Sequence, residues 1–483
     1  MTELTAEIKQ ALTATVAHWR DTDLDDDRIL ERGRPGVLDL VLEPSTEAEL
    51  SALVGALRRF RVPTTTIAGR SGLVEAQRPD GVAIAMRRFD QLGDLTLADG
   101  TRLAPGGWAA LADVDLARRR GARVRVGAGL PIDTINAALA PAGLKLPIVM
   151  GSSGSATAGA CAANGSAGAN AVRYGTAADL AVHVRGVLGT GEVVAQDVPR
   201  RDPVTDPARC RIRSDRFSHG DCLVGSQGAL GLITEVTYEV VPLARDQAAI
   251  LLPVADVATA SGVLAQLAAR FRGTEAAIEL FEIIRRQTLE RALVHAEQSL
   301  REGVGHAPYY ALVLVTSEVA SAPSAFGSAF VEEVLTAVMT EVRDPAGRLL
   351  YEAGNVDFDH DPTRLLRLRE ACSEMSRLLP KQSYDVVVPL AQLDRLVDRL
   401  EAAMATRYPD LQLSVFGHAG VGALHVHAIA PTAAVLAPCR RASMPSCSTW
   451  CRSSAAAPGP STGWAASGPT SGAAARQPPC RRR

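Results

Sequence analysis

Apolar and polar positions alternate with two different periods along the first half of the chain. Leu50, Leu53, Val54 and Leu57 recur at the spacing of one helical face, and Thr46 with Glu49 gives a capping-box interval just ahead of them. Val41 and Leu42 precede that helix and stop at Pro44, while the β-favouring run Thr64, Thr65, Thr66 and Ile67 follows it, so the stretch from Val37 is expected to form a small βαβ unit. A second unit is expected where Val124 and Val126 alternate before a turn at Gly127 to Gly129 and a helix opens near Pro131. Further on, Val182 to Leu188 and Glu192 to Val194 flank Gly189-Thr190-Gly191, the pattern of a hairpin.

From about Arg245 the texture changes to longer alternations. Ile250 to Leu252, Tyr309 to Thr316, Asp385 to Pro389 and Leu411 to Phe416 read as strands with amphipathic helices between them, which points to a separate α+β domain. The expected organisation is therefore a helical segment over 1–35, a first domain over 36–244, a second over 245–431 and a tail over 432–483. Beyond Pro431 the chain contains no Asp, Glu, Lys, Phe, Tyr or Ile. Such a tail cannot bury enough apolar surface to offset its ordering entropy, so disorder is expected there.

Length and charge narrow the function. At 483 residues the chain has room for about three domain-sized units, which favours an enzyme over a small binding module. Lys plus Arg number 51 against 53 for Asp plus Glu, a net charge of -2, so there is no electrostatic footprint for nucleic acid or an anionic membrane, and a small molecule is the expected partner. Neither the charged N-terminus nor any later run has the apolar length of a signal peptide core or a membrane span, so no transmembrane segment is expected and the location is read as cytoplasmic, with peripheral membrane association left open. Cys161, Cys210, Cys222 and Cys372 are scattered and read as reduced core residues, whereas Cys439, Cys447, Cys451 and Cys480 crowd the tail.

Three runs poor in large side chains stand out: AGRSGLVEAQRPD over Ala68 to Asp80, GSSGSATAGACAANGSAGANAVRYG over Gly151 to Gly175, and GSQGALGLITEVT over Gly225 to Thr237. Small residues let backbone N–H groups approach phosphate oxygens, and several such loops in one domain suit an extended ligand carrying a pyrophosphate. Any one of them alone is an ordinary tight turn. None is a G-x-G-x-x-G between strand and helix, and no P-loop is present.

Together and in this order the three runs resemble the FAD-binding domain of the vanillyl-alcohol oxidase and p-cresol methylhydroxylase (PCMH) superfamily, and within it the D-lactate, glycolate and D-2-hydroxyglutarate dehydrogenase branch. The resemblance covers roughly Val37 to Pro431 and implies an α+β fold: a two-subdomain PCMH-type FAD-binding domain followed by a ferredoxin-like α+β substrate (cap) domain. It implies FAD held non-covalently by Gly69, Arg70, Ser71, Gly72 and Leu73 of the first run, by Ser152, Ser153, Gly159, Asn164, Gly168 and Tyr174 of the second, and by Gly228, Gly231 and Ile233 of the third. The first loop departs from the usual Gly-Gly-x-Thr-Gly, with Ala68 for one glycine and Ser71 for the threonine.

The run GHAGVGALHVH, Gly417 to His427, closes a strand pattern. His425 and His427 share a strand face, and His418 precedes a glycine turn able to fold it back toward His425. Spacing alone leaves metal ligands and hydrogen-bonded core histidines equally open. The run resembles Gly-His-x-Gly-Asp-Gly-x-Leu-His, which implies His418 and His425 as catalytic ligands of a divalent metal, zinc or manganese, although Val421 stands where aspartate is common. Arg369, in an expected helix over Arg364 to Leu379, resembles the arginine that clamps the substrate carboxylate in this branch; an exposed helix charge is the competing reading. Lys381 lies near the position of a second carboxylate-binding cation, off by a residue or two, and ranks below Arg369.

The resemblance implies oxidation of a small D-2-hydroxy acid, with electrons passing to a quinone, a cytochrome, an electron-transfer flavoprotein or oxygen. It also implies a Glu-His-Gly-x-Gly-Arg segment after the histidines, which the tail lacks. Back-translating Pro458 to Ser467 with GC-rich codons and starting each codon one nucleotide earlier yields Gly-Pro-Glu-His-Gly-Val-Gly-Arg-Lys, so a frameshift around Thr432 to Pro438 is expected, and with it impaired activity. The competing readings are a non-catalytic flavin-binding protein and another oxidase of the superfamily, such as a sugar-lactone oxidase.

Overall fold

The helical face read from the pattern is real, and it buries Leu50, Leu53, Val54 and Leu57 of helix Glu47–Phe60 against Leu40, Leu42, Val82 and Ile84 of the neighbouring strands. Thr46 caps this helix by accepting the Glu49 N–H at 3.1 Å. The Glu49 carboxylate reaches back one residue further than a capping box requires, accepting from the Ser45 N–H at 2.7 Å and from the Ala17 N–H at 3.2 Å, so it also ties down the preceding segment.

The computed structural model describes residues 4–21, 30–31, 34–35, 37–71, 80–111, 116–198, 223–344, 346–351, 355–359, 361–377, 379–388, 392–432 and 434–435. Among these, one sheet has the order Trp19–Asp21, Val37–Leu42, Asp80–Ala85, Thr64–Ile67, and its last three strands are parallel. The two strands of the expected βαβ unit are thus not neighbours. Asp80–Ala85 lies between them, because the chain leaves Ile67 through the first glycine run and returns to pair with both.

The second expected unit is a different structure. Strand Arg123–Gly127 lies inside an antiparallel sheet ordered Val193–Asp197, Ala181–Leu188, Gly231–Glu239, Arg123–Gly127, Leu92–Thr96, Arg102–Leu103. Val124 and Val126 still face the core, fully buried as their alternation demands, but their neighbours come from remote parts of the chain. The hairpin over residues 181–197 forms as read, with Val187 opposite Val193.

The remaining large sheet is antiparallel throughout: Asp357–Asp359, Asp246–Val254, Tyr309–Ser317, Ala276–Arg285, Gln412–Gly417, Ala423–Ile429, Lys381–Val387. Its central strands carry almost uninterrupted apolar runs, since helices including Val257–Arg270, Ala329–Glu341 and Thr363–Arg377 pack on the sheet. The fold is mixed helix and sheet, and both regions belong to one unit spanning residues 1–436. Among the described residues no helix is long and apolar enough to cross a membrane.

Candidate active site

Parts of the three glycine-bearing runs meet around one cavity. Gly69, Arg70, Ser71, Ser152, Gly159, Asn164, Gly228, Gly231 and Ile233 all line it. Two close backbone approaches explain why glycine is required. A Cβ on Gly69 would lie 1.6 Å from the Ser155 carbonyl oxygen, so the first run touches the second main chain to main chain. A Cβ on Gly159 would lie 2.4 Å from Ala128 Cβ, where helix Ala158–Asn164 docks on the end of strand Arg123–Gly127. The third run closes the arrangement: the Gly225 and Gln227 N–H groups donate to the Ala162 and Ala163 carbonyls in the last turn of that helix, at 3.0 and 2.8 Å.

Three of the cofactor-binding candidates, Ser153, Gly168 and Tyr174, do not line the cavity and make local contacts instead. Ser153 Oγ donates to the Met150 carbonyl at 2.7 Å and accepts from the Met150 N–H at 3.0 Å, shaping the turn. Gly168 lets the chain pass Val149, where a Cβ would meet the Val149 nitrogen at 2.7 Å. Tyr174 packs under the Arg173 guanidinium, 4.9 Å from its ring centroid, and burial pushes its phenol up. Gly72, Leu73 and the tail from 436 onward lie outside the described residues.

Sequence reasoning passed over several lining residues, among them Met86, Ala128, Cys161 and Gln227. Arg70 and Gln227 have φ of 54° and 55°, a left-handed conformation that costs a non-glycine residue on the order of 1 kcal/mol, so two strained backbone positions sit on the cavity wall. Backbone-rich walls, small side chains and the Arg70 cation fit a dinucleotide cofactor with a diphosphate bridge.

In the large antiparallel sheet, three charged or titratable side chains from separate elements form a buried cluster. Glu282, 0 % exposed on strand Ala276–Arg285, accepts from Arg369 Nε at 3.0 and 2.9 Å. Arg369, on helix Thr363–Arg377, and His418, at the end of strand Gln412–Gly417, are each 6 % exposed. His418 Nδ1 stands 2.8 Å from Glu282 Oε1, close but not aligned as a hydrogen bond, and Nε2 is 3.5 Å from an Arg369 terminal nitrogen. Arginine can only donate, so this geometry suits a neutral imidazole with its proton on Nδ1.

Electrostatics agrees. Burial pushes the Glu282 carboxyl up, but the charge and hydrogen bonds of Arg369, helped by the polar Nδ1–H of His418 beside it, outweigh burial and hold the group well below the usual carboxylate range. Burial lowers the His418 pKa, and Arg369 and His425 add to this against the opposing pull of Glu282. Burial alone would weaken the Arg369 proton, yet Glu282 more than compensates.

The glycine turn does fold His418 back: its ring lies 5.6 Å from that of His425, which in turn lies 5.2 Å from Phe416. His427 meets Phe416 edge-on at 5.4 Å. Lys381 opens the edge strand, paired with Ile429. The metal centre that the resemblance implied is not assembled: among the described residues no group of three His, Cys, Asp or Glu side chains could hold an ion, and both ring nitrogens of His418 face protein partners. The described residues around His418 and His425 do not fit a metal. Glu282 is the residue of the cluster that sequence reasoning missed, although two carboxylates, Glu279 and Glu282, in a mostly apolar strand were themselves a signal, because a buried charge requires a partner.

Comparison with known proteins places both regions. Residues 38–196 match the model of the FAD binding domain, and residues 243–441 match that of the C-terminal domain of FAD linked oxidases. A D-2-hydroxyglutarate dehydrogenase from Xanthomonas citri pv. viticola is 26% identical over 408 residues, covering 83% of this chain and 75% of the relative. D-lactate dehydrogenases from Anaerostipes hadrus and Archaeoglobus fulgidus are each 24% identical, over 83% and 80% of this chain and 75% and 74% of their own lengths. The solved structure of an alkyldihydroxyacetonephosphate synthase shares the fold, with a TM-score of 0.58 at 15% identity, covering 89% of this chain and 77% of that one.

Proposed function

Because this chain belongs to the FAD-linked oxidases of the PCMH type, we propose that it oxidises a small D-2-hydroxy acid, of the D-lactate, glycolate or D-2-hydroxyglutarate kind, to the 2-oxo acid. FAD, when bound, would supply the hydride acceptor for oxidation at C2 of the substrate. Gly69, Arg70, Ser71, Ser152, Gly159, Asn164, Gly228, Gly231 and Ile233 line the cavity and would hold the cofactor, with Arg70 supplying positive charge for its diphosphate. Arg369 receives the substrate carboxylate through its terminal nitrogens, Nε being committed to Glu282. His418, kept neutral by burial, accepts the hydroxyl proton on Nε2, whose 3.5 Å contact with Arg369 is long enough to yield to a substrate oxygen. No step runs through a metal.

The observation that carries this reading is the meeting of the three glycine-bearing runs on one cavity in a chain whose second domain buries an arginine beside a histidine. The test is spectroscopic. Purified full-length protein should show bound-flavin absorbance, and anaerobic D-lactate or D-2-hydroxyglutarate should bleach it, slowly because the Glu-His segment is absent from the tail. Flavin that stays oxidised with every D-2-hydroxy acid but is bleached by a sugar lactone would overturn the substrate assignment.

A further inference from the structure

Much of the cavity wall comes from one stretch of chain, Met150 to Ser166. Both ends of that stretch are held by a single carboxylate from the other domain. Glu279, 2 % exposed on strand Ala276–Arg285, accepts from Asn170 Nδ2 on Oε1 at 2.7 Å and pairs with Lys145 Nζ through the same oxygen. Lys145 lies just before the stretch and Asn170 just after it. The other oxygen, Oε2, accepts from Thr316 Oγ1 at 2.9 Å, which fixes the carboxylate to its own sheet. Arg173 reinforces the crossing: it donates to Thr316 Oγ1 at 2.9 Å and to Glu318 at 3.1 Å. The Gly420 turn packs close by, where a Cβ would meet Val172 Cγ2 at 2.5 Å.

Hydrogen bonds to a buried carboxylate are strong and directional, because little water competes for them. Here they brace, from the other domain, the two flanks of a stretch whose base is also held by the Ala169 N–H donating to the Val149 carbonyl at 2.6 Å and whose helix packs on the core through Ala158, Cys161 and Ala162; the segment ahead of that helix, Gly151 to Ser155, is all Gly and Ser and has little side-chain packing to keep its shape. Glu279 itself does not touch the cavity.

We propose that Glu279 is a positioning residue for the cofactor: by clasping Lys145 and Asn170 it braces the flanks of the loop that forms the FAD cavity, so cofactor affinity depends on a residue of the substrate domain. Without the clasp, FAD binding must itself restore the placement of the loop, and that cost appears as lost affinity. The inference rests on the FAD-binding reading of the cavity.

The test is Glu279→Gln in the full chain, with FAD affinity measured by flavin fluorescence at a temperature well below the melting point of the apoprotein. The FAD Kd should rise about tenfold or more, the scale of one lost charge-assisted hydrogen bond. Asn170→Ala, which opens only one arm, should raise it less, and carries the test alone if Glu279→Gln does not fold. A lower melting temperature with Kd within about twofold of wild type would mean a merely structural role and would overturn the proposal. Wild-type protein that takes up no FAD would reject the cofactor reading and this inference with it, whereas normal wild-type binding with unchanged variants rejects the inference alone.

Discussion

The glycine-lined cavity of the first domain and the charged cluster of the second are shaped by opposite means. In the cavity, side chains are removed so that main chains can touch: Gly69 lies against Ser155 and Gly159 against Ala128. In the cluster, Glu282, Arg369 and His418 are taken out of water and set against one another. The cavity wall leaves backbone groups and small polar side chains to meet a cofactor. The cluster instead satisfies most of its polar demand internally, and only the terminal nitrogens of Arg369 and the weakly engaged Nε2 of His418 remain for chemistry. Damage should therefore differ in kind: a lost partner in the cluster leaves a buried charge, while an added methyl in the cavity wall forces two backbones apart.

The largest effect should come from the cluster. Glu282→Ala strands the Arg369 guanidinium, and breaking a buried pair from one side costs about 3–5 kcal/mol. Urea unfolding should show that loss, and Glu282→Gln, which keeps an acceptor, should lose less. If Glu282→Ala costs under about 1 kcal/mol, the level of an exposed pair, the cluster is wetter than its burial suggests and the contrast between the two regions fails.

A smaller stability loss but a larger binding loss should follow in the cavity. Gly159→Ala places its Cβ on Ala128, and overpacking of this sort costs about 1–3 kcal/mol. Because Gly159 and Ala160 both line the cavity, the shift should also weaken FAD binding, as equilibrium titration would reveal. Full FAD affinity in Gly159→Ala would show that the helix can move without deforming the site.

The same contrast explains what the sequence disclosed. The glycine-bearing runs are local signals, readable without knowing what they touch, and most of the described residues they nominated line one cavity. Local periodicity likewise exposed the helix with Leu50 and Leu57 on one face and the buried alternation of Val124 and Val126. Pairing was not legible, because it is set by remote segments: Asp80–Ala85 separates two strands that read as neighbours, and Arg123–Gly127 joins an antiparallel sheet. Arg369 and His418 were visible as candidates, but not the carboxylate between them. Strand Ala276–Arg285 is buried along nearly its whole length, so no alternation flagged Glu279 or Glu282, and their partners come from other elements.

The smallest effect separates the buried charge of the second domain from one at the margin of the first. Glu43 is buried, but its partners Arg20, Arg87 and Arg88 are much more exposed, so water screens the group and Glu43→Gln should cost only about 1 kcal/mol at neutral pH. Burial pushes the Glu43 carboxyl up, yet the hydrogen bonds and charges of Arg87 and Arg88 prevail and lower its pKa from the ordinary value of 4.5. A carboxylate with a depressed folded pKa contributes stability that is complete above its unfolded pKa and is lost as pH falls through the folded one. The melting temperatures of wild type and Glu43→Gln should therefore differ at pH values above 4.5 and converge below it as the wild-type carboxylate takes up its proton. A gap that persists into acid would assign the effect to packing rather than charge, and would make the margin of the first domain resemble the cavity wall more than the charged cluster.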